Sequence, residues 1–158
     1  MRALKKGLCA FLCPFFASAS VAAAPPLIGD WQSSRELTMS FIENHVRLKA
    51  ETESFLRQLS GHMTLRFDAE YVTLDLPDLT IEINGKKHPM TGFREKSRYK
   101  VLFSSDTKIV IQSEVPSSQQ ETVQIFYFVD DKTMWVYGGN NDPGLPDIHY
   151  REYFVRTR

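Results

Sequence analysis

The 158-residue chain has four histidines, 19 carboxylates and two cysteines from which chemistry might be built. His45, His62, His88 and His149 stand far apart, and none has a second His, Asp or Glu at the spacing of a metal-binding pair. His45 continues a helical apolar stripe, and His62 opens an alternating stretch. No serine occupies a Gly-x-Ser-x-Gly elbow, and no glycine loop has the form that cradles phosphate. The run Gly138-Gly139-Asn140-Asn141-Asp142-Pro143-Gly144 lacks the alternating oxygen ligands and closing glutamate of a calcium loop, and reads as a turn. The expectation is therefore a protein that is not an enzyme, with no metal and no cofactor.

What surrounds these residues is an export signal followed by one domain. Arg2, Lys5 and Lys6 precede an apolar run at 8–16 and small residues at 17–24, the layout of a cleaved signal peptide. Pro25 disfavours a cut directly before it, so residues 1–23 are expected to be removed and 24–158 to form the domain. The apolar run is too short for a span of ~20 residues. Cys9 and Cys13 both lie in the leader, and Leu8 and Leu12 before them do not make a lipoprotein cleavage box. The mature chain is expected to be periplasmic or secreted, without thiols or disulfides, and held by a packed core. Without the three leader cations, 16 basic residues face 19 acidic ones, a net charge near −3. No Lys/Arg cluster in the sequence suggests a nucleic-acid surface.

Two periodicities divide the domain. After Leu27-Ile28-Gly29-Asp30-Trp31, Ser33 and Glu36 have capping-box spacing. Leu37, Phe41 and His45 then recur every four residues beside Ile42 and Val46. A second helical stretch at 52–60 carries Phe55, Leu56 and Leu59 and stops at Gly61. Beyond Gly61 the period becomes two: Met63, Leu65 and Phe67; Val72, Leu74 and Leu76; Leu79, Ile81 and Ile83, ending in the hairpin dipeptide Asn84-Gly85. Further strands follow around Tyr99, Val101 and Phe103, then Ile109 and Ile111, then 123–129, 134–137 and 148–157. The segment 123–129 is apolar on both faces, with Val123, Ile125, Tyr127 and Val129 alternating with Gln124, Phe126 and Phe128. Roughly eight to ten short strands joined by tight turns predict an all-β fold with a helical insertion after the first strand. An antiparallel up-and-down barrel is favoured because closure removes exposed edges.

Gly29-x-Trp31 in the first strand, a helix pair at 35–60, a strand run and a "YREYFVR" ending at 150–156 together resemble the lipocalin and fatty-acid-binding superfamily, and within it small bacterial lipocalin-like domains. The resemblance implies that Gly29 bends the chain into the barrel floor and that Trp31 plugs the closed end. It also implies that an arginine near the last strand, Arg156 or Arg151, stacks over Trp31, and that the helix pair covers the mouth. In fatty-acid-binding proteins an Arg-x-Tyr pair on the last strand holds a ligand carboxylate, which makes Arg151 and Tyr153 candidates here. Residues two apart share a strand face, and the arginine fork with a hydroxyl donor suits a carboxylate. The opposite parity, with Tyr150 and Phe154 inside and Arg151 in solvent, remains open. Arg151 and Arg156 lie on opposite faces of a regular strand, so both cannot point inward. His149 is the one position where an axial haem ligand would be sought, but the glycine-rich stretch of haem-bearing barrels is replaced by Gln32-Ser33-Ser34.

The expected function is the binding of a small apolar or amphipathic molecule, lipid-derived in one version, in a cavity lined by Leu65, Phe67, Leu74, Tyr99, Val101, Ile111, Ile125 and Tyr127. The alternative is a filled barrel that acts through its surface as an inhibitor or immunity-type partner of another protein, with Phe126 and Phe128 on the outer face.

Overall fold

The structure is a computed structural model and describes residues 27–115, 120–138 and 149–158. The leader at 1–23, the polar loop at 116–119 and the turn at 139–146 lie outside the described residues.

The first strand, β1 (Gly29–Ser33), leads into α1 (Arg35–His45) and α2 (Ala50–Leu59). Nine further strands follow: β2 (Thr64–Phe67), β3 (Tyr71–Leu76), β4 (Leu79–Ile83), β5 (Lys86–Met90), β6 (Phe93–Ser104), β7 (Lys108–Val115), β8 (Gln120–Phe128), β9 (Thr133–Tyr137) and β10 (Arg151–Arg156). Eight of the ten close into an antiparallel barrel in the order β1-β10-β9-β8-β7-β6-β3-β2, while β4 and β5 form a separate hairpin. The fold class expected from the sequence is thus the one observed, with the helix pair after the first strand. Its eight-stranded closure is consistent with a lipocalin-like fold. Among the described residues no helix is long and apolar enough to cross a membrane.

Closure comes from β1, which pairs with β10 through Trp31–Arg156 and Ser33–Phe154 and with β2 through Trp31–Leu65. Directly paired residues share a face, so the register fixes the interior. Phe128, Met134 and Phe154 form one inward row across β8, β9 and β10, and Ile109, Phe126, Val136 and Glu152 form the next. The core consists of Trp31, Leu65, Phe67, Ile109, Ile111, Phe126, Phe128, Met134 and Phe154, all buried, with Leu27 tucked beneath. Its aromatic rings meet edge to face: Phe67 is 5.3 Å from Phe126, and Trp31 is 6.0 Å from Phe128. This is the arrangement that ring quadrupoles favour. Burying one such Leu or Phe contributes about 1.5–3 kcal/mol over leaving it exposed.

The helix pair sits at the end of the barrel that β1 leaves and β2 enters, opposite the Trp31 end. Its own small core joins Met39, Ile42 and Leu56 to Val46, Leu48, Phe55 and Tyr150. The α1 cap lies one residue later than the capping-box spacing suggested. Ser34 Oγ accepts from the Leu37 amide at 3.3 Å, while Ser33 stays in β1 and points inward. α1 then runs along β10, with the Ser34 amide donating to Tyr153 O at 2.7 Å and the Tyr153 amide donating to the buried Thr38 Oγ1 at 3.0 Å. α2 grips the β4–β5 hairpin through Gln58, which donates to Glu82 O at 2.9 Å and accepts from the Glu82 amide at 2.7 Å. The hairpin turns at Asn84-Gly85 with positive φ at both residues, as a two-residue turn of this kind requires.

Candidate functional site: the barrel interior and its lateral cleft

At the closed end, Trp31 is fully buried and its indole N–H donates to Leu27 O at 2.9 Å. The Arg156 guanidinium lies over the indole, 4.3 Å from the ring centroid. Arg156 Nη1 also donates to Ile28 O at 2.7 Å and its Nε to Asp131 O at 3.1 Å. One side chain therefore fastens the entry to β1, the end of β10 and the β8–β9 turn. Gly29 makes this possible. Its φ is +139°, and a Cβ there would lie 2.5 Å from Arg156 Nη1, which excludes any other residue without displacing the arginine.

Away from this seal the interior changes character. Leu74 pairs with Glu95 and Val72 with Ser97, so those two β6 residues face inward beside Tyr99. Tyr99 pairs with Ser113, which pairs with Thr122, and Ile111 pairs with Gln124. The β6–β8 sector of the lining is thus polar, with Ser113 and Thr122 hydroxyls 3.1 Å apart. Tyr99 joins the two zones. Its ring meets Phe67 edge-on at 5.7 Å, and its hydroxyl donates to Asp68 O at 2.7 Å. Burial and the nearby Asp68 push the Tyr99 phenol above its ordinary pKa.

The wall opens beside Tyr99. β6 pairs with β3 only as far as Arg98 and with β7 only from Tyr99 onward. A cleft of about 480 Å³ forms where the ladder changes partner, lined by inward Tyr99 and Ser113 together with Arg98, Lys100, Gln112, Glu114 and Glu121. A second groove of about 470 Å³ on the outside of β1–β3 is already ion-paired, Arg66 to Asp30 at 2.6 Å and Arg94 to Asp75 at 3.5 Å.

Beneath the helix pair lies a buried carboxylate. Glu152 is 8% exposed and accepts hydrogen bonds from the hydroxyls of Ser33 and Ser60. Ser33 Oγ in turn accepts from the Gly61 amide at 2.7 Å. Burial raises the Glu152 pKa, and the two hydroxyls oppose the rise only in part. Tyr150, which packs against the helices, is pushed up to about 12 by burial and by Glu152.

Of the lining residues expected from sequence, Leu65, Phe67, Leu74, Tyr99 and Ile111 lie on the inner face. Ile125 and Tyr127 do not. Phe126 and Phe128 take the inside of β8, so Ile125 and Tyr127 face out, and Tyr127 stacks on Trp135 at 4.1 Å. Phe126 and Phe128 are accordingly not the exposed patch of the alternative reading. Val101 has inward register but is 48% exposed, because β6 there runs past its pairing with β3. Arg151 and Tyr153 are also outside. With Arg156 and Phe154 facing inward, strand parity turns Arg151 outward, where it lies 4.1 Å from the Trp135 ring and 4.7 Å from the Phe41 ring. Tyr153 packs on Phe41 at 6.2 Å. The Arg-x-Tyr pair therefore cannot hold a carboxylate within the barrel. His149 is exposed and meets the Tyr137 hydroxyl, and among the described residues no three His, Cys, Asp or Glu side chains gather as a metal site.

No protein-family model matches the chain, and neither the curated proteins nor the solved structures compared with it yield a match. The site stands on its geometry alone.

Proposed function

We propose that this chain is an exported, lipocalin-like binding protein rather than an enzyme. It takes a small apolar or amphipathic molecule against the inner face of β6–β8, entering through the cleft beside Tyr99. The observation that carries this reading is the division of the interior. One zone is filled by buried aromatic rings, while the other combines Tyr99, Ile111 and Leu74 with Ser97, Ser113, Thr122 and Gln124 and borders an opening. An apolar wall with a few convergent hydroxyl and amide groups is the usual composition of a small-molecule site. The helix pair, tied down through Glu152 and Thr38, would keep the opposite mouth shut. Residues 1–23 supply the export signal, which directs the domain to the periplasm or the exterior.

Native mass spectrometry of protein purified under mild conditions should show a stoichiometric small molecule that organic extraction removes. A polarity-sensitive fluorophore should then titrate into the extracted protein, and Tyr99→Ala should weaken it. Protein free of any such molecule, with no saturable fluorophore binding, overturns the reading.

A second reading, action on a protein partner, draws on the outer wall. Phe103, Val110 and Ile125 form one cross-strand row and Tyr127, Trp135 and Tyr153 the next. A contiguous aromatic face of this kind on the outside of a barrel is a feature of interaction surfaces.

A further inference from the structure

Strand β6 presents a feature that the linear sequence hides. Arg94, Lys96, Arg98 and Lys100 alternate along it, and because their strand neighbours Ser97 and Tyr99 face inward, all four face out and all are exposed. Successive cations on such a row lie about 6.7 Å apart. At its end the polar pattern stops abruptly: Val101, Leu102 and Phe103 are 48%, 47% and 48% exposed. The register shifts between Val101 and Phe103, which leaves Leu102 without a partner on β7. Lys108 lies 5.4 Å from the Phe103 ring centre, so a fifth cation flanks the apolar tip.

We infer that the outer face of β6 docks on an anionic lipid surface, with the four cations over the headgroups and Leu102 and Phe103 set into the interfacial layer. The pairing of a cationic row with an adjoining apolar tip is the complement of that surface, which offers negative charge and then hydrocarbon at increasing depth. The acids near the row do not cancel it. Asp75 and Glu70 approach Arg94 and Arg98 only at 3.5 Å, with all four side chains at least 40% exposed. Pairs so exposed contribute little and exchange readily for a phosphate. Lys96 rests 4.3 Å over the Tyr71 ring. Glu114 and Glu121 flank the row on the β7–β8 side, where Gln112 donates to Glu121 at 2.7 Å. This inference does not depend on ligand binding in the barrel, since association with lipid is measured directly.

The test is co-sedimentation of the purified protein with phosphatidylcholine vesicles, with and without phosphatidylglycerol, at low and high salt. Binding should require phosphatidylglycerol and fall steeply with salt. The double variant Lys96→Gln/Lys100→Gln should bind roughly thirtyfold more weakly. Phe103→Ser should also weaken binding while preserving its salt dependence, and Glu70→Gln/Asp75→Asn should strengthen it. Circular dichroism identical to that of the parent keeps the variants interpretable. Four results overturn the inference: no binding at low salt, equal binding to pure phosphatidylcholine, binding unchanged in the double lysine variant, or retention on a soluble polyanion such as heparin without vesicle binding.

Discussion

Replacing Arg156 by Met tests whether the barrel is fastened at its base as the geometry indicates. Methionine keeps an unbranched apolar stem over Trp31 but removes the charge and both donors. Three contacts disappear: the guanidinium 4.3 Å from the indole, and the bonds to Ile28 O at 2.7 Å and Asp131 O at 3.1 Å. Arg156 is only half-buried, so water takes over the two carbonyls and each lost bond costs toward ~1 kcal/mol. The cation–π contact adds about 0.5–1 kcal/mol. Together these give about 2–3 kcal/mol, a large share of the ~5–15 kcal/mol that holds a typical domain. For a chain of this length the melting temperature should fall by about 6–12 °C. Arg156→Lys should recover roughly half, because an ammonium retains the charge without the planar fork. Thermal melts followed by circular dichroism and urea midpoints measure both variants, with an unchanged urea slope confirming that only stability has moved. If the Met variant stays within ~0.5 kcal/mol of the parent, Arg156 is an ordinary solvated residue and the account of the seal is wrong.

Two further predictions concern the interior. Burial raises the Glu152 pKa in the folded protein, so the folded state holds that proton above the ~4.3 of an unfolded glutamate. The stability linked to this group is therefore fully present below about 4.3 and is lost as pH rises through the folded pKa, by ~1.4 kcal/mol for each unit of the rise. Glu152→Gln should be at least as stable as the parent at neutral pH, and its advantage should shrink as pH falls toward 4.3. Urea midpoints of both proteins across that range check this, and a pH-independent difference would refute it. The second compares sites for any ligand found. Arg151→Ala, outside the barrel between Trp135 and Phe41, should leave affinity unchanged, whereas Tyr99→Ala should lower it. Calorimetric titration with the order reversed would return the binding site to the last strand.

The parts of this fold that the sequence reveals are those in which a local pattern has only one solution. Asn84-Gly85 can hardly be other than a hairpin turn, and Leu65 and Phe67 share a strand whose other positions, Thr64 and Arg66, are polar. β8 is the counter-case. With Ile125 and Tyr127 on one face and Phe126 and Phe128 on the other, hydrophobicity alone cannot say which pair is inside. The choice is made far away in sequence, by rows that place Phe126 with Ile109 and Phe128 with Met134. The faces left outside then find partners across β9, β10 and α1, as in the Tyr127–Trp135–Arg151–Phe41 stack. β10 was more legible than it first looked. Once Arg156 is assigned to Trp31, period two carries Phe154 and Glu152 inward and Arg151 and Tyr153 outward, so the buried carboxylate follows from the seal. Its partners do not follow, because Ser33 and Ser60 reach it over 119 and 92 residues of chain. The cationic row on β6 escaped for a related reason. Counted along the sequence, Arg94, Lys96, Arg98 and Lys100 are diluted by Glu95, Ser97 and Tyr99, and only the pleat separates the two sets. A charge pattern in a strand has to be counted at every second residue before it can be called absent.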